Sequence, residues 1–196
     1  MRYPEHIERL MQFFRKLPGV GAKSAERFCF ELLQWPEAKI QEFTSLIEDL
    51  PRKISACPSC GALFQEEICH FCTSSERNAQ QICLVATPKE LFLIEATGQF
   101  KGLYHVLGGL LSPFAGRNTL NLEPLLRRIK DLNIKELIIA FDGTLEGDAS
   151  AFYIKEQLKG IPLQISRLAF GMPAGSLLEF AGEGSIAQSL THRREL

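Results

Sequence analysis

The segment CPSCGALFQEEICHFC restricts this chain more than any other stretch. It carries Cys57-x2-Cys60 and Cys69-x2-Cys72, with eight residues between the pairs. Each C-x2-C pair folds into a tight knuckle presenting two thiolates to one metal, and two knuckles complete a tetrahedral Zn²⁺ shell. Such a shell leaves no open position for water, so one Zn²⁺ per chain is expected in a structural role. The loop between the knuckles is too short for a core of its own, so the metal supplies much of the local folding energy. Two other readings use the same residues: a redox dithiol pair, and His70 in place of one cysteine. No apolar run approaches transmembrane length, and MRYPEHIERL lacks the apolar stretch of a signal peptide. The expected location is therefore cytoplasmic, where the six cysteines stay reduced and metal ligation is favoured over disulfides. Cys29 falls on the apolar stripe of a predicted helix and Cys83 in the run ICLVA; both are expected in the core.

A second constraint is LPGVGAKSAERF, Leu17 to Phe28. A P-loop needs a glycine directly before its Lys-Ser pair, but Ala22 stands there and Leu17 takes the first glycine's place. A dinucleotide fingerprint needs a third glycine where Ser24 stands, and a strand ahead of it. The preceding HIERLMQFF is helical instead, with Ile7, Leu10, Met11 and Phe14 on one stripe. Ala25, Phe28, Cys29 and Leu32 repeat that spacing before Trp35-Pro36 closes the segment. The pattern predicts helix, Gly-x-Gly turn, helix. Gly19 and Gly21 permit close backbone approach, and the second helix begins with unpaired N–H groups, a seat for phosphate. Lys23 and Arg27 share one face of that helix. With Ser24 they complete the DNA-binding candidates, a set that grips backbone rather than reading bases. The competing reading is a plain helical hairpin with solvated basic residues. A net charge of -1 means that any nucleic-acid surface is a local patch.

The remainder divides by period. Residues 1–53 read as helical, PEAKIQEFTSLIEDL placing Ile40, Phe43, Ile47 and Leu50 on one side before Pro51 ends it. The cysteine module covers 54–77. Residues 78–175 alternate strand and helix: ICLVA, then Thr87-Pro88-Lys89-Glu90 as a capping box opening PKELFLIEAT, then GLYHVLGG. The helix LEPLLRRIKDL, the strand ELIIAF, the loop DGTLEGDAS, the helix AFYIKEQLKG and the strand LQISRLA follow. Such alternation implies a mostly parallel sheet with helices on its faces. A helical, charged tail, SIAQSLTHRREL, lies within 176–196. Asp142, Glu146 and Asp148 cluster past a strand's C-terminal end, where open α/β sheets place ligands. Glu146-x-Asp148 is a candidate Mg²⁺ pair; the spacing favours an acidic surface loop near the next helix's N-terminus.

Taken in order, LPGVGAKSAERF, CPSC…CHFC, GLYHVLGGLLSP, TLEGDAS, SRLAFGMPAG and HRREL resemble the bacterial RecR family of recombination mediators, over essentially the whole chain. The resemblance implies an α/β protein: an N-terminal helix-hairpin-helix and a small zinc finger, then a Toprim-type, mostly parallel domain with a C-terminal tail. It implies a nucleoid-associated, ring-like homotetramer clamping single- and double-stranded DNA, without enzymatic activity. Its implied partners are RecO and RecF, with which family members help load recombinase onto gaps coated by single-strand-binding protein. The acidic surface of Asp142, Glu146 and Asp148 is implied to meet RecO. Toprim enzymes place a glutamate at the end of the first strand, where this chain has Ala86. Only the later pair, Glu146 and Asp148, survives, and a methyl group cannot act as acid or base. The Walker-B-like SRLAFGMPAGSLLEF, without a Walker A loop, reads as structural or as an oligomer contact. The alternatives are a Toprim-type metal-dependent nuclease or primase, and a zinc-dependent hub acting only through protein partners.

Overall fold

The computed structural model describes residues 3–65, 67–112, 120–169, 171–172 and 175–193. The chain divides into two compact units, Met1–Ile54 and Ser55–Leu196.

The first unit holds three helices, α1 (Glu5–Phe14), α2 (Ala22–Leu32) and α3 (Glu37–Lys53). The apolar stripes of α1 and α2 face each other. Ala25 and Cys29 are buried between them, and the Phe14 and Phe28 rings meet edge to face at 5.6 Å. The Cys29 thiol points toward the Ile7 carbonyl, so it is core, as its place on the stripe predicts. Pro51 does not end α3 as expected; the helix runs on to Lys53. In the last turn, proline's missing N–H removes only one hydrogen bond, and Ile54 still donates to the Leu50 carbonyl at 3.2 Å. On the apolar side of α3, Phe43 meets the Trp35 ring edge to face at 5.8 Å, whereas Ile47 and Leu50 nearer its C-terminus are exposed at 55% and 64%.

The second unit opens with a short antiparallel hairpin, β1 (Ser55–Ala56) with β2 (Leu63–Phe64), and one helical turn, α4 (His70–Thr73). Then β3 (Asn78–Val85), α5 (Pro88–Glu95), β4 (Gly102–Val106), α6 (Glu123–Asp131), β5 (Glu136–Ala140), α7 (Leu145–Gln157) and β6 (Gln164–Arg167) alternate. The four strands β3 to β6 form one parallel sheet in the order β4-β3-β5-β6. The Thr87–Glu90 capping box opens α5, with the Thr87 amide donating to Glu90 at 3.1 Å.

Successive β3 side chains go to opposite faces, and this alternation sets the layers. Ile82 and Leu84 pack with Leu125, Ile129, Leu137, Ile139 and Ile154 on the α6/α7 face. Cys83 and Val85 point the other way, against Leu91, Tyr104 and the cysteine module. Each fully buried leucine or isoleucine contributes about 1.5–3 kcal/mol, so the two-faced core is ample for a sheet of four strands. The stretch TLEGDAS is not a loop: α7 begins at Leu145, because the Thr144 hydroxyl caps it by accepting from Gly147 N–H at 3.1 Å. The tail carries a 3-10 turn (Leu178–Phe180) and α8 (Glu183–Thr191); Arg194 to Leu196 of HRREL lie outside the described residues. Among the described residues, no helix is long and apolar enough to cross a membrane.

Candidate functional site

The two knuckles converge. The Sγ atoms of Cys57, Cys60, Cys69 and Cys72 all lie within 4.8 Å of one another, a cluster positioned to bind a metal ion. A regular tetrahedron with Zn–S bonds of about 2.3 Å has S–S edges of roughly 3.8 Å. The Cys60–Cys69 and Cys57–Cys72 separations, 3.6 and 3.9 Å, bracket that edge. In the first knuckle the Gly61 amide donates to the Cys57 carbonyl and the Cys57 amide to the Ala62 carbonyl, both at 2.8 Å. In the second, Cys72 N–H donates to the Cys69 carbonyl at 2.9 Å. These turns aim both thiols of each pair at one point.

The cluster is not free-standing. The Val106 amide at the end of β4 donates to the Cys60 carbonyl at 2.7 Å, fastening the first knuckle to the sheet. Gly61 lies against the same residue. Its φ is +75°, and an added Cβ would sit 2.8 Å from Val106 Cβ and 3.1 Å from Val106 O. From the far side, Arg128 of α6 reaches in: its guanidinium donates to the Tyr104 carbonyl at 2.6 Å, meets His105 Nδ1 at 3.2 Å and approaches Cys72 Sγ at 3.9 Å. The Cys72 thiol is drawn below the usual thiol range, chiefly by its hydrogen bond with Cys60, with Arg128's charge assisting. Burial, and then Arg128, holds His105 down at about 4, so it accepts from Arg128 as the neutral ring. Sequence reasoning missed Arg128. The signal was present in LLRRIKD: Leu125, Arg128 and Ile129 fall at i, i+3 and i+4, an arginine on an apolar stripe.

In the first unit, Gly19 has φ +78°, a turn conformation that L side chains rarely adopt. Gly21 caps α2 with an extended backbone (φ -83°), and an added Cβ would meet nothing within 4 Å. Its lack of a side chain therefore serves open space in front of the helix rather than the turn itself. The first turn of α2 carries no acidic residue and no side-chain cap, so its leading amides have no capping partner. Lys23 and Arg27 are exposed and Ser24 is half-buried. A phosphate can approach this end with amides ahead and two cations beside it.

The third group lies at the C-terminal end of the sheet. Asp142 follows β5 and is exposed, while Glu146 and Asp148 stand half-buried in the first turn of α7. Asp148 is committed to an ion pair with Arg167 of β6 at 2.6 Å, and Arg167 also donates to the Asp142 carbonyl at 3.2 Å. Asp148 and Arg167 line an open cleft of about 910 Å³ that continues to Gly184, Ser185 and Gln188 of α8. Ala86 is buried beyond the end of β3, and the carboxylate next to it, Glu90, is held by the Ala86 and Thr87 amides. Among the described residues, only the four cysteines form a group of three or more His, Cys, Asp or Glu side chains placed to hold a metal.

Comparison with known proteins agrees with this arrangement. Residues 7–50 match the RecR helix-hairpin-helix family and residues 80–169 match the Toprim domain family. The chain is 48% identical over 195 residues to the recombination protein RecR of Protochlamydia amoebophila, covering 98% of both chains. The RecR proteins of Chlamydia pneumoniae and Chlamydia trachomatis are 42% and 41% identical, again covering 98% of each chain. This chain belongs to the RecR family.

RecR membership gives the separate pieces one context. The hairpin of α1 and α2 is the RecR helix-hairpin-helix, and the parallel sheet is a Toprim domain. Within that Toprim domain, the sheet end holds two acids on α7 and a methyl group at Ala86, so its residues do not fit the acidic triad of a catalytic Mg²⁺ site. In the Walker-B-like segment, Phe170, Pro173 and Ala174 lie outside the described residues.

Proposed function

We propose that this protein is a non-catalytic DNA-binding mediator of recombinational repair. Near-full-length identity to proteins named recombination protein RecR carries the reading. The open N-terminus of α2 supports the DNA-binding part: Gly19 and Gly21 present the backbone, Ser24 stands beside them, and Lys23 and Arg27 neutralise phosphates. Gripping backbone in this way is indifferent to sequence and suits both single and double strands.

The four cysteines hold one structural Zn²⁺, which the donor set and the sulfur tetrahedron favour over other ions. When bound, the metal fixes the two knuckles against the sheet; the protein's own residues do the binding to DNA and partners. The exposed Asp142, with Glu146 and Asp148, offers acidic character to a basic partner surface, read here as RecO, with RecF as a further partner. The Asp148–Arg167 ion pair reduces that charge, which leaves Asp142 and Glu146 as the stronger docking groups. A ring-like homotetramer places several hairpins around one DNA, so that weak single contacts add through avidity. The exposed Ile47 and Leu50 of α3 are consistent with assembly.

The test is recombinase loading on gapped DNA coated with single-strand-binding protein, with and without RecO. The wild type should stimulate loading with RecO, and Lys23→Ala/Arg27→Ala should not. A protein that binds no DNA alone or with RecO, and leaves loading unchanged, contradicts the reading.

A further inference from the structure

We propose that Arg128 is the buried counter-charge of the cysteine metal centre, facing Cys72 from the opposite side of the sheet's β4 strand. The inference rests on the four-cysteine Zn²⁺ reading above and extends it to a residue outside the knuckles.

Arg128 is only 8% exposed. A buried guanidinium normally has an anionic partner, because leaving its charge uncompensated in a low dielectric is costly. Among the described residues, no carboxylate forms an ion pair with it; the ion pairs of this unit join Arg77 to Glu95, Arg127 to Glu123, Lys159 to Glu156 and Arg167 to Asp148. Its acceptors are the Tyr104 carbonyl and His105 Nδ1, both neutral, and Cys72 Sγ. Cys72 is the one acceptor that can carry a full negative charge. Four thiolates around one Zn²⁺ leave a net charge of about −2, buried against Val85, Leu91 and Tyr104. The centre lacks a cation and the arginine lacks an anion; each supplies the other's need.

The geometry divides the guanidinium's work. One nitrogen holds β4 through Tyr104 and His105, and the other faces the cysteine. A planar fork is suited to this double duty, which positions Cys72 relative to the sheet while setting a positive charge beside the centre. Partners of this kind outside the ligand shell typically change metal affinity by about 10–100-fold when removed.

The experiment compares zinc-loaded full-length wild type, Arg128→Met and Arg128→Lys. Zinc transfer to a chromogenic chelator gives affinity and release rate, and the thiolate-to-metal charge-transfer band of the Co²⁺-substituted protein reports the sulfur environment. Arg128→Met keeps bulk and removes charge, so it should lose affinity by about 10–100-fold and shift the Co²⁺ band. Arg128→Lys keeps the charge but not the fork, so it should retain zinc clearly better than Arg128→Met. Equal zinc retention in the Met variant overturns the proposal, as does a folded Lys variant that loses zinc as fast as Met, since the arginine would then act by packing alone. If the Met variant does not fold, the Lys variant decides: retention supports the counter-charge and loss overturns it. Wild type containing no zinc is a separate result that removes the metal reading itself.

Discussion

Gly61→Ala tests whether the first knuckle is built onto the sheet or merely near it. Position 61 has φ +75°, and the new Cβ would lie 2.8 Å from Val106 Cβ and 3.1 Å from Val106 O. Neither atom is the free end of a flexible chain, so the collision moves backbone. Forcing an L-residue into the left-handed region costs roughly 1–2 kcal/mol, and overpacking typically adds about 1–3, for a total of about 2–5 kcal/mol. A domain of this size loses roughly 2–4 °C per kcal/mol, so the melting temperature of the Ser55–Leu196 unit should fall by about 4–20 °C. The relief available is to lengthen the 2.7 Å Val106 N–H to Cys60 carbonyl bond, which loosens a metal ligand, so zinc should also pass to a chelator faster. Calorimetry of the zinc-loaded protein and a chelator transfer assay read the two effects. Gly21→Ala, in the other unit, is the control: its Cβ meets nothing within 4 Å, and neither the melting of the Ser55–Leu196 unit nor zinc transfer should change. A Gly61→Ala protein that melts like wild type and holds zinc equally well refutes the claim that the knuckle is anchored through Val106.

Elemental analysis of purified protein should find about one zinc per chain, and Cys60→Ser should reduce both zinc content and the thermal stability of the second unit. No Mg²⁺- or Mn²⁺-dependent nicking or primer synthesis should be seen, because Ala86 replaces the strand-end acid; divalent-dependent nicking abolished by Glu146→Ala overturns this. His105 should make the fold acid-sensitive. Its folded pKa of about 4 lies below the unfolded value near 6.5, so its contribution is complete above pH 6.5 and is lost as pH falls toward 4. The loss amounts to about 3 kcal/mol and should show as the difference between wild type and His105→Asn in denaturant titrations across that window. Zinc release in acid, common to both proteins, largely cancels in the comparison. Gly21→Val should weaken DNA binding while leaving the melting of the Ser55–Leu196 unit unchanged, since its side chain projects into the space a phosphate backbone would use.

The cysteine cluster was legible because ligand spacing is local: each C-x2-C pair sets its own turn, and only the meeting of the two pairs needed the fold. The parallel sheet was legible for a related reason, since runs such as ICLVA and ELIIAF are short, apolar and separated by helical periods. Errors arose where a local signal carried two meanings. Pro51 carries a stop signal, yet a proline in a final turn forfeits a single bond. In TLEGDAS, Gly147 and the acids suggest a loop, but Thr144 in front of acids is also a helix start, and that sense prevails. Arg128 escaped because its partners, Cys72, Tyr104 and His105, are distant in sequence, and a buried charge is identified only by what surrounds it. The apolar side of α3 was legible as a face, but among the described residues of its own unit none buries Ile47 or Leu50.

The claim that the α1–α2 hairpin grips DNA backbone is tested most directly by a salt titration of binding to one oligonucleotide, comparing wild type with Lys23→Ala/Arg27→Ala. Each phosphate neutralised contributes a slope of roughly 0.7 in log affinity against log salt for single strands, or 0.9 for duplex. Wild-type affinity should fall steeply with salt and change little with sequence. The double variant should show no measurable binding, with zinc content and oligomer mass unchanged. Equal affinity and an equal slope for the two proteins would mean that DNA is held elsewhere and that the hairpin serves assembly alone.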